Sequence, residues 1–135
     1  MPWLIRIDEL TPSQNAFKRM HPRVYKKLRD RLQSWLMVGM VNQKIPKATT
    51  RRRLTITRYA RHKNYLLDRG NCVGGCKPLL DAAIRQGLIL NDREDMLDDH
   101  YIQDVDAKAP RTEIRIEDLA DAGSAEATAR PRVAP

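Results

Sequence analysis

Hydrophobic spacing along the chain marks out its elements before any chemistry is considered. Trp3, Ile5 and Ile7 fall on one face of an extended segment, which predicts an opening strand. Leu54-Thr55-Ile56-Thr57-Arg58-Tyr59 alternates as a strand does, directly after the run Arg51-Arg52-Arg53. Two further strands are predicted around His100 to Val105 and Thr112 to Ile116. In the latter, Ile114 and Ile116 face inward while Glu113, Arg115 and Glu117 face water. A helical period runs from about Pro22 to Val38, with Val24, Leu28, Leu32 and Trp35 as its buried stripe and Gly39 at its end. A second helix opens at Lys77, with Pro78 in its first turn, Leu79, Leu80, Ala83 and Ile84 on its apolar face, and Gly87 as its stop. Thr11 to Asn15 reads as a loop, and so does the Gly-, Asn- and Cys-rich stretch from Asp68 to Cys76.

Strand, helix, strands, helix, strands is the order of a two-layer α+β domain. The expectation is a small mixed β-sheet packed against two main helices over residues 1–118. The Ala-, Gly-, Ser- and Pro-rich residues 119–135 are expected to form a flexible tail.

Charge changes the picture. The chain of 135 residues carries a net +8, unevenly spread. Residues 1–68 hold 16 Lys/Arg against 4 Asp/Glu, whereas residues 69–135 hold 9 against 13. A basic half points to a polyanion, nucleic acid above all. The off-stripe cations Arg23, Lys26 and Lys27 of the first helix, Arg19 before it, and the run Arg51-Arg52-Arg53 are the predicted DNA contacts, of the kind that position phosphates without reading bases. Aromatic residues are 5% of the chain, which argues against a platform for stacking a single strand. The acidic half has no use in a pure charge neutraliser, but a metal-dependent nuclease needs carboxylates beside the phosphate it cuts. No apolar run approaches the roughly 18 residues of a membrane span, and the first residues are too soon interrupted by charge for a signal peptide, so a cytoplasmic protein is expected. Cys72 and Cys76 cannot form a disulfide framework. Their spacing leaves two readings, a zinc site with His62 or His100 or a pair of reduced structural thiols, and the second is favoured because no further Cys or His pair follows.

Three segments, in order, carry a resemblance. The first is Pro12-Ser13-Gln14-Asn15 with the basic stretch around Arg19 and His21 behind it. The second runs from Asp68-Arg69-Gly70-Asn71 through Gly74-Gly75 and Lys77 to Leu80-Asp81-Ala82. The third is Gly87-Leu88-Ile89-Leu90-Asn91-Asp92. Together they resemble the RusA family of Holliday junction resolvases, common in bacteria and their prophages, over roughly residues 3–117. The resemblance implies a homodimer, dependence on magnesium with no small-molecule cofactor, and hydrolysis of paired strands at a four-way DNA junction in recombination and repair. By position, it makes Asp68, Lys77 and Asp92 the catalytic residues. Two positions depart from the family's pattern, Gly70 and Asn91 each standing where it has Asp.

The chemistry agrees with those residue types. Phosphodiester hydrolysis calls for charge neutralisation and a positioned water, both of which magnesium supplies while using only one or two protein carboxylates. Asp68 and Asp92 are the predicted ligands, with Asp81 the first candidate to replace the carboxylate missing at Gly70 and Glu94 or Asp95 the second. Lys77 would stabilise charge on the phosphate or leaving oxygen. Each also has a plainer reading: Asp68 as a turn former or helix cap, Asp92 as a turn, Lys77 and Asp81 as solvated helix residues. Asn71, Gly74 and Gly75 are expected to shape the loop. Two alternatives stay open, a cleavage-deficient relative that binds branched DNA and a small basic DNA-binding phage regulator.

Overall fold

Alternation of side chains on four strands builds one sheet, and the apolar stripes of two helices cover one of its faces. In the computed structural model, which describes residues 2–119, the strands are β1 (Trp3–Ile7), β2 (Arg52–Ala60), β3 (Leu97–Val105) and β4 (Arg111–Asp118). The helices are α1 (Gln14–Lys18), α2 (Pro22–Gln43), α3 (Arg69–Gly75) and α4 (Lys77–Gln86). Strand order is β1-β4-β2-β3. β4 lies antiparallel to both β1 and β2, placing Ile5, Ile114 and Ile56 side by side, whereas β2 and β3 run parallel from Arg52 opposite Leu97 to Ala60 opposite Val105. This is the expected mixed sheet with two main helices packed against it. The predicted tail lies outside the described residues from 120 onward.

The core is the contact between this sheet face and the two helices. Ile5, Ile7, Leu54, Ile56, Leu97, Ile114 and Ile116 meet Leu28, Leu32, Leu36 and Met40 of α2 and Leu79, Ala82 and Ala83 of α4. Each fully buried Leu or Ile contributes about 1.5–3 kcal/mol relative to exposure, so this face dominates stability. Leu88 and Ile89, part of the third segment singled out in the sequence, are also buried here and close the core behind α4.

The helix expected to stop at Gly39 runs on to Gln43, and Lys44, in the left-handed region at φ 55°, ends it. Gly39 is there for contact: a Cβ on it would lie 2.8 Å from Ile5 Cγ2, so its missing side chain lets α2 approach β1. The stripe also shifts. Val24 is 51% exposed and Trp35 only partly buried, while Leu36 and Met40 complete the buried row. The stretch Asp68 to Cys76 is a helix rather than a loop, capped by the Asp68 side chain.

Burial removes Arg52 from the predicted DNA contacts. It is 1% exposed, and its guanidinium donates to Leu88 O (3.0 Å), Pro46 O (2.9 Å) and the Asp118 carboxylate (2.7 Å). A strand that alternates buried and part-buried positions turns one Arg of the run inward, where it ties three separate segments to the start of β2. Truncating Arg52 to Ala orphans two carbonyls and leaves a void, so it should lower the unfolding free energy by about 2–4 kcal/mol in urea titrations. Lys26→Ala, on the surface, should stay within about 0.5 kcal/mol of the parent.

Candidate acidic site and nucleic-acid interface

Two of the three segments singled out in the sequence fold against each other. Ser13 caps α1, its Oγ accepting from the Ala16 N–H, and this presents Pro12 to Asn15 to α3. The Asn15 N–H donates to Asn71 Oδ1 at 3.1 Å. A Cβ at Gly75 would fall 1.8 Å from Pro12 O, and one at Gly74 would fall 2.4 Å from the Gln14 side chain. The two glycines, expected to shape a loop, lie instead in helix α3, where they serve close packing and neither has a positive φ.

Asp68 stands at the head of this assembly, exposed. Asn71 donates to it from both its side-chain amide and its backbone N–H, and holds its carboxyl below the usual carboxylate range. Asp68 is therefore a helix cap, the plainer of its two readings, and an exposed carboxylate whose charged form Asn71 favours. Its place is set from the other side by Gln103, whose amide accepts from the Leu67 N–H (2.8 Å) and donates to Leu67 O (2.7 Å).

Lys77 and Asp81 pair with each other one turn apart, Nζ to Oδ1 at 3.6 Å. The other Asp81 oxygen accepts from the Tyr25 hydroxyl at 2.9 Å. Burial, with the Asp81 hydrogen bond and charge, raises the Tyr25 pKa. Sequence reasoning missed Tyr25 because Val24 was assigned to the buried stripe; the spacing Tyr25, Leu28, Leu32 was the available signal.

Asp92 is elsewhere. It precedes the turn in which the Leu97 N–H donates to Arg93 O, at the start of β3, and its neighbour Asn91 accepts from the Arg93 N–H. Asp68 follows Leu67, which is held by Gln103 near the end of β3. From Leu97 to Gln103 is six residues of strand, roughly 20 Å. The two predicted ligands thus lie at opposite ends of the sheet. Among the described residues no group of three His, Cys, Asp or Glu could hold a metal ion. A single chain does not fit the predicted magnesium site, with Asp81 committed to Lys77 and Tyr25.

The predicted cations divide by position. Arg19, Arg23, Lys26 and Lys27 are all exposed, and none pairs with an acid among the described residues. The contacts of α1 with α3 and of Tyr25 with Asp81 place them at the Asp68 end of the molecule. Arg51, at the opposite end, donates to Glu94 O at 2.9 Å. Arg53 lies on the helix-free face of the sheet, its side chain mostly covered, where it donates to the buried carboxylate of Asp98 at 2.7 Å. The triple-Arg run is therefore a set of structural contacts with different partners rather than one basic patch.

Cys72 and Cys76 are buried free thiols. Burial pushes the Cys76 pKa up to about 12 and raises that of Cys72. Neither His of the zinc reading turns to them: His62 Nδ1 accepts from the Asn64 N–H, and His100 Nε2 lies 3.0 Å from Asp98. Compared with known proteins, the chain matches no family model and no curated sequence.

Two outcomes follow. If the exposed cations form a nucleic-acid interface, removing Arg23, Lys26 and Lys27 together should reduce the slope of log affinity for DNA against log salt by about 0.9 for each phosphate no longer neutralised, read by fluorescence anisotropy. Arg53→Gln should leave that slope unchanged. For Asp98, burial alone raises the pKa, but hydrogen bonds and charge from Arg53 and His100 outweigh it and leave the value lowered. A lowered carboxylate contributes stability above its unfolded pKa and loses it as pH falls through the folded one. The urea midpoint should therefore drop as the solution is acidified below about pH 4, and Asp98→Asn should flatten that drop.

Proposed function

We propose that this chain is a RusA-type, structure-specific endonuclease acting on branched DNA, and that it acts as a homodimer in which each active site takes Asp68 from one copy and Asp92 from the other. The observation that carries this reading is the separation of the two carboxylates along a strand whose outer edge is unpaired. β3 pairs only with β2 among the described residues, and the outer edge of this nine-residue strand, unpaired there, invites a further strand. Antiparallel pairing of two β3 edges across a two-fold axis sets the end of one strand, beside Asp68, against the start of the other, beside Asp92. Such an interface is isologous and yields two equivalent sites, as symmetric cutting of a four-way junction requires.

The chain's own residues have clear parts in this reading. Arg19, Arg23, Lys26 and Lys27 carry the phosphate backbone toward the Asp68 end. Asn71 keeps the Asp68 carboxylate charged and aimed. Lys77, more than half exposed, moves from Asp81 to an arriving phosphate, while Tyr25 retains Asp81. Magnesium belongs to the proposal only as an ion of the shared site.

One observation favours a second reading, a relative that binds branched DNA without cutting it. Position 70 supplies no carboxylate, although there is room for one: a Cβ there meets nothing within 4 Å except Asp68 Oδ2 at 3.6 Å.

Mixed dimers test the first reading. Asp68→Asn and Asp92→Asn homodimers should each lose at least about a hundredfold in cleavage of a synthetic four-way junction with magnesium, because neither retains a complete site. Each mixed dimer of the two variants has one complete site and one doubly defective site. An equal mixture after subunit exchange should then recover about a quarter of the parental nicking. Parental cleavage with no recovery in the mixture would place the site within one chain. Binding without cleavage by the parent would favour the second reading, and Gly70→Asp would then be the change expected to introduce cutting.

A further inference from the structure

Arg58 is a buried cation without a buried counter-ion. It lies near the end of β2, only 7% exposed. Its Nε donates to Thr11 O at 3.0 Å and its Nη1 to Tyr65 O at 3.2 Å, while Nη2 donates to no described residue. Arg52, Arg53 and Arg111 each pair with a carboxylate; among the described residues Arg58 pairs with none. The nearby ionisable groups are the thiols of Cys72 and Cys76, which burial keeps neutral. Desolvating a charge without an opposite partner is unfavourable until an anion arrives.

The surroundings of Arg58 indicate which anion. It lines a cavity of about 510 Å³ together with Ser13, Arg61, Asn64, Tyr65 and Leu66, a size typical of small-ligand sites. Arg61 is an exposed second cation. Tyr65 keeps an aromatic ring in solvent at 61% exposure, and Asn64 offers an amide with both donor and acceptor. An inorganic anion has no use for an aromatic wall, and an apolar ligand has none for two guanidinium groups. A phosphate joined to a flat heterocycle uses both.

We propose that this cavity binds one nucleotide of an unpaired DNA strand, with its phosphate at Arg58 and Arg61 and its base against Tyr65. Choosing a nucleotide over other phosphorylated molecules rests on the DNA reading above. One tyrosine suits one base, which agrees with a chain too poor in aromatics to stack a tract. Leu67 also lines the cavity and Asp68 comes next in the chain, so a nucleotide held here lies beside the candidate carboxylate.

The test is a titration of the full chain, followed by amide chemical shifts, with three probes: 5′-phosphorylated thymidine dinucleotide, the same dinucleotide without the terminal phosphate, and inorganic phosphate. The phosphorylated dinucleotide should bind tightest and shift the amides of Asn64 to Leu67. Arg61→Ala and Tyr65→Ala should each weaken it by about tenfold, and Tyr65→Phe should retain it. Arg58→Gln should also weaken it, but Arg58 holds two loops together, so the Arg61 and Tyr65 variants decide. Absence of dinucleotide binding, indifference to both variants, or equal affinity for phosphate alone would overturn the proposal. Dinucleotide binding by a chain that cuts no junction would leave this site standing while the endonuclease reading falls, and junction cutting without dinucleotide binding would do the reverse.

Discussion

Parallel pairing of β2 with β3 governs the arrangement of everything else. Two strands in a parallel pair begin at the same edge, so the chain leaving Ala60 must cross the length of the sheet before it can enter Leu97. α3 and α4 make that crossing, and α4 pays for it by burying Leu79, Ala82 and Ala83 against the sheet. Whatever follows β2 therefore sits at one end of the molecule, and whatever precedes β3 sits at the other. Asp68 and Asp92 are the two residues for which this matters most. Their separation is a consequence of topology, not of a loop that could close.

The same constraint marks the boundary of what could be read from the chain. Alternation located all four strands, and a helical period located α2 and α4, because one-sided burial imposes those periods directly. Strand order leaves no such trace: Leu54 and Leu97 look alike whichever neighbours they have. α3 was hidden for a different reason. Gly70, Gly74 and Gly75 lower helix propensity, and the gain that offsets them, close contact with Pro12 and Gln14, exists only once the fold has formed. Gly39 misled in the same way, since its partner Ile5 is remote in sequence.

Charge was legible in amount but not in direction. The basic half contains Arg52 and Arg58, both buried, and Arg53, mostly covered. All three lie on β2, where alternation sends Arg52 and Arg58 to the helix side and Arg53 to the other. A guanidinium can bond several carbonyls at once in a fixed fork, which suits it to tying loops to a strand end. Arg52 does this for Pro46 and Leu88, and Arg58 for Thr11 and Tyr65. Of the cations predicted to meet a polyanion, those that remain exposed and unpaired among the described residues are Arg19, Arg23, Lys26 and Lys27, and they gather at the Asp68 end.

That end also shows how the acidic residue is maintained by the protein alone. A carboxylate at a helix start is favoured by the N–H groups and dipole there, and Asn71 adds two donors to it. A second carboxylate at position 70 would stand close to the first and repel it unless a cation lay between them. With Gly70 the repulsion is absent, so α3 can form and dock on Pro12 and Gln14 with no ion present. On the proposed endonuclease reading, the glycine that deprives a metal site of a carboxylate would also be the residue that lets its scaffold fold independently of metal. On the proposed reading, in which Asp92 comes from a partner, an ion would be held only after two finished copies meet, so assembly rather than folding would decide activity.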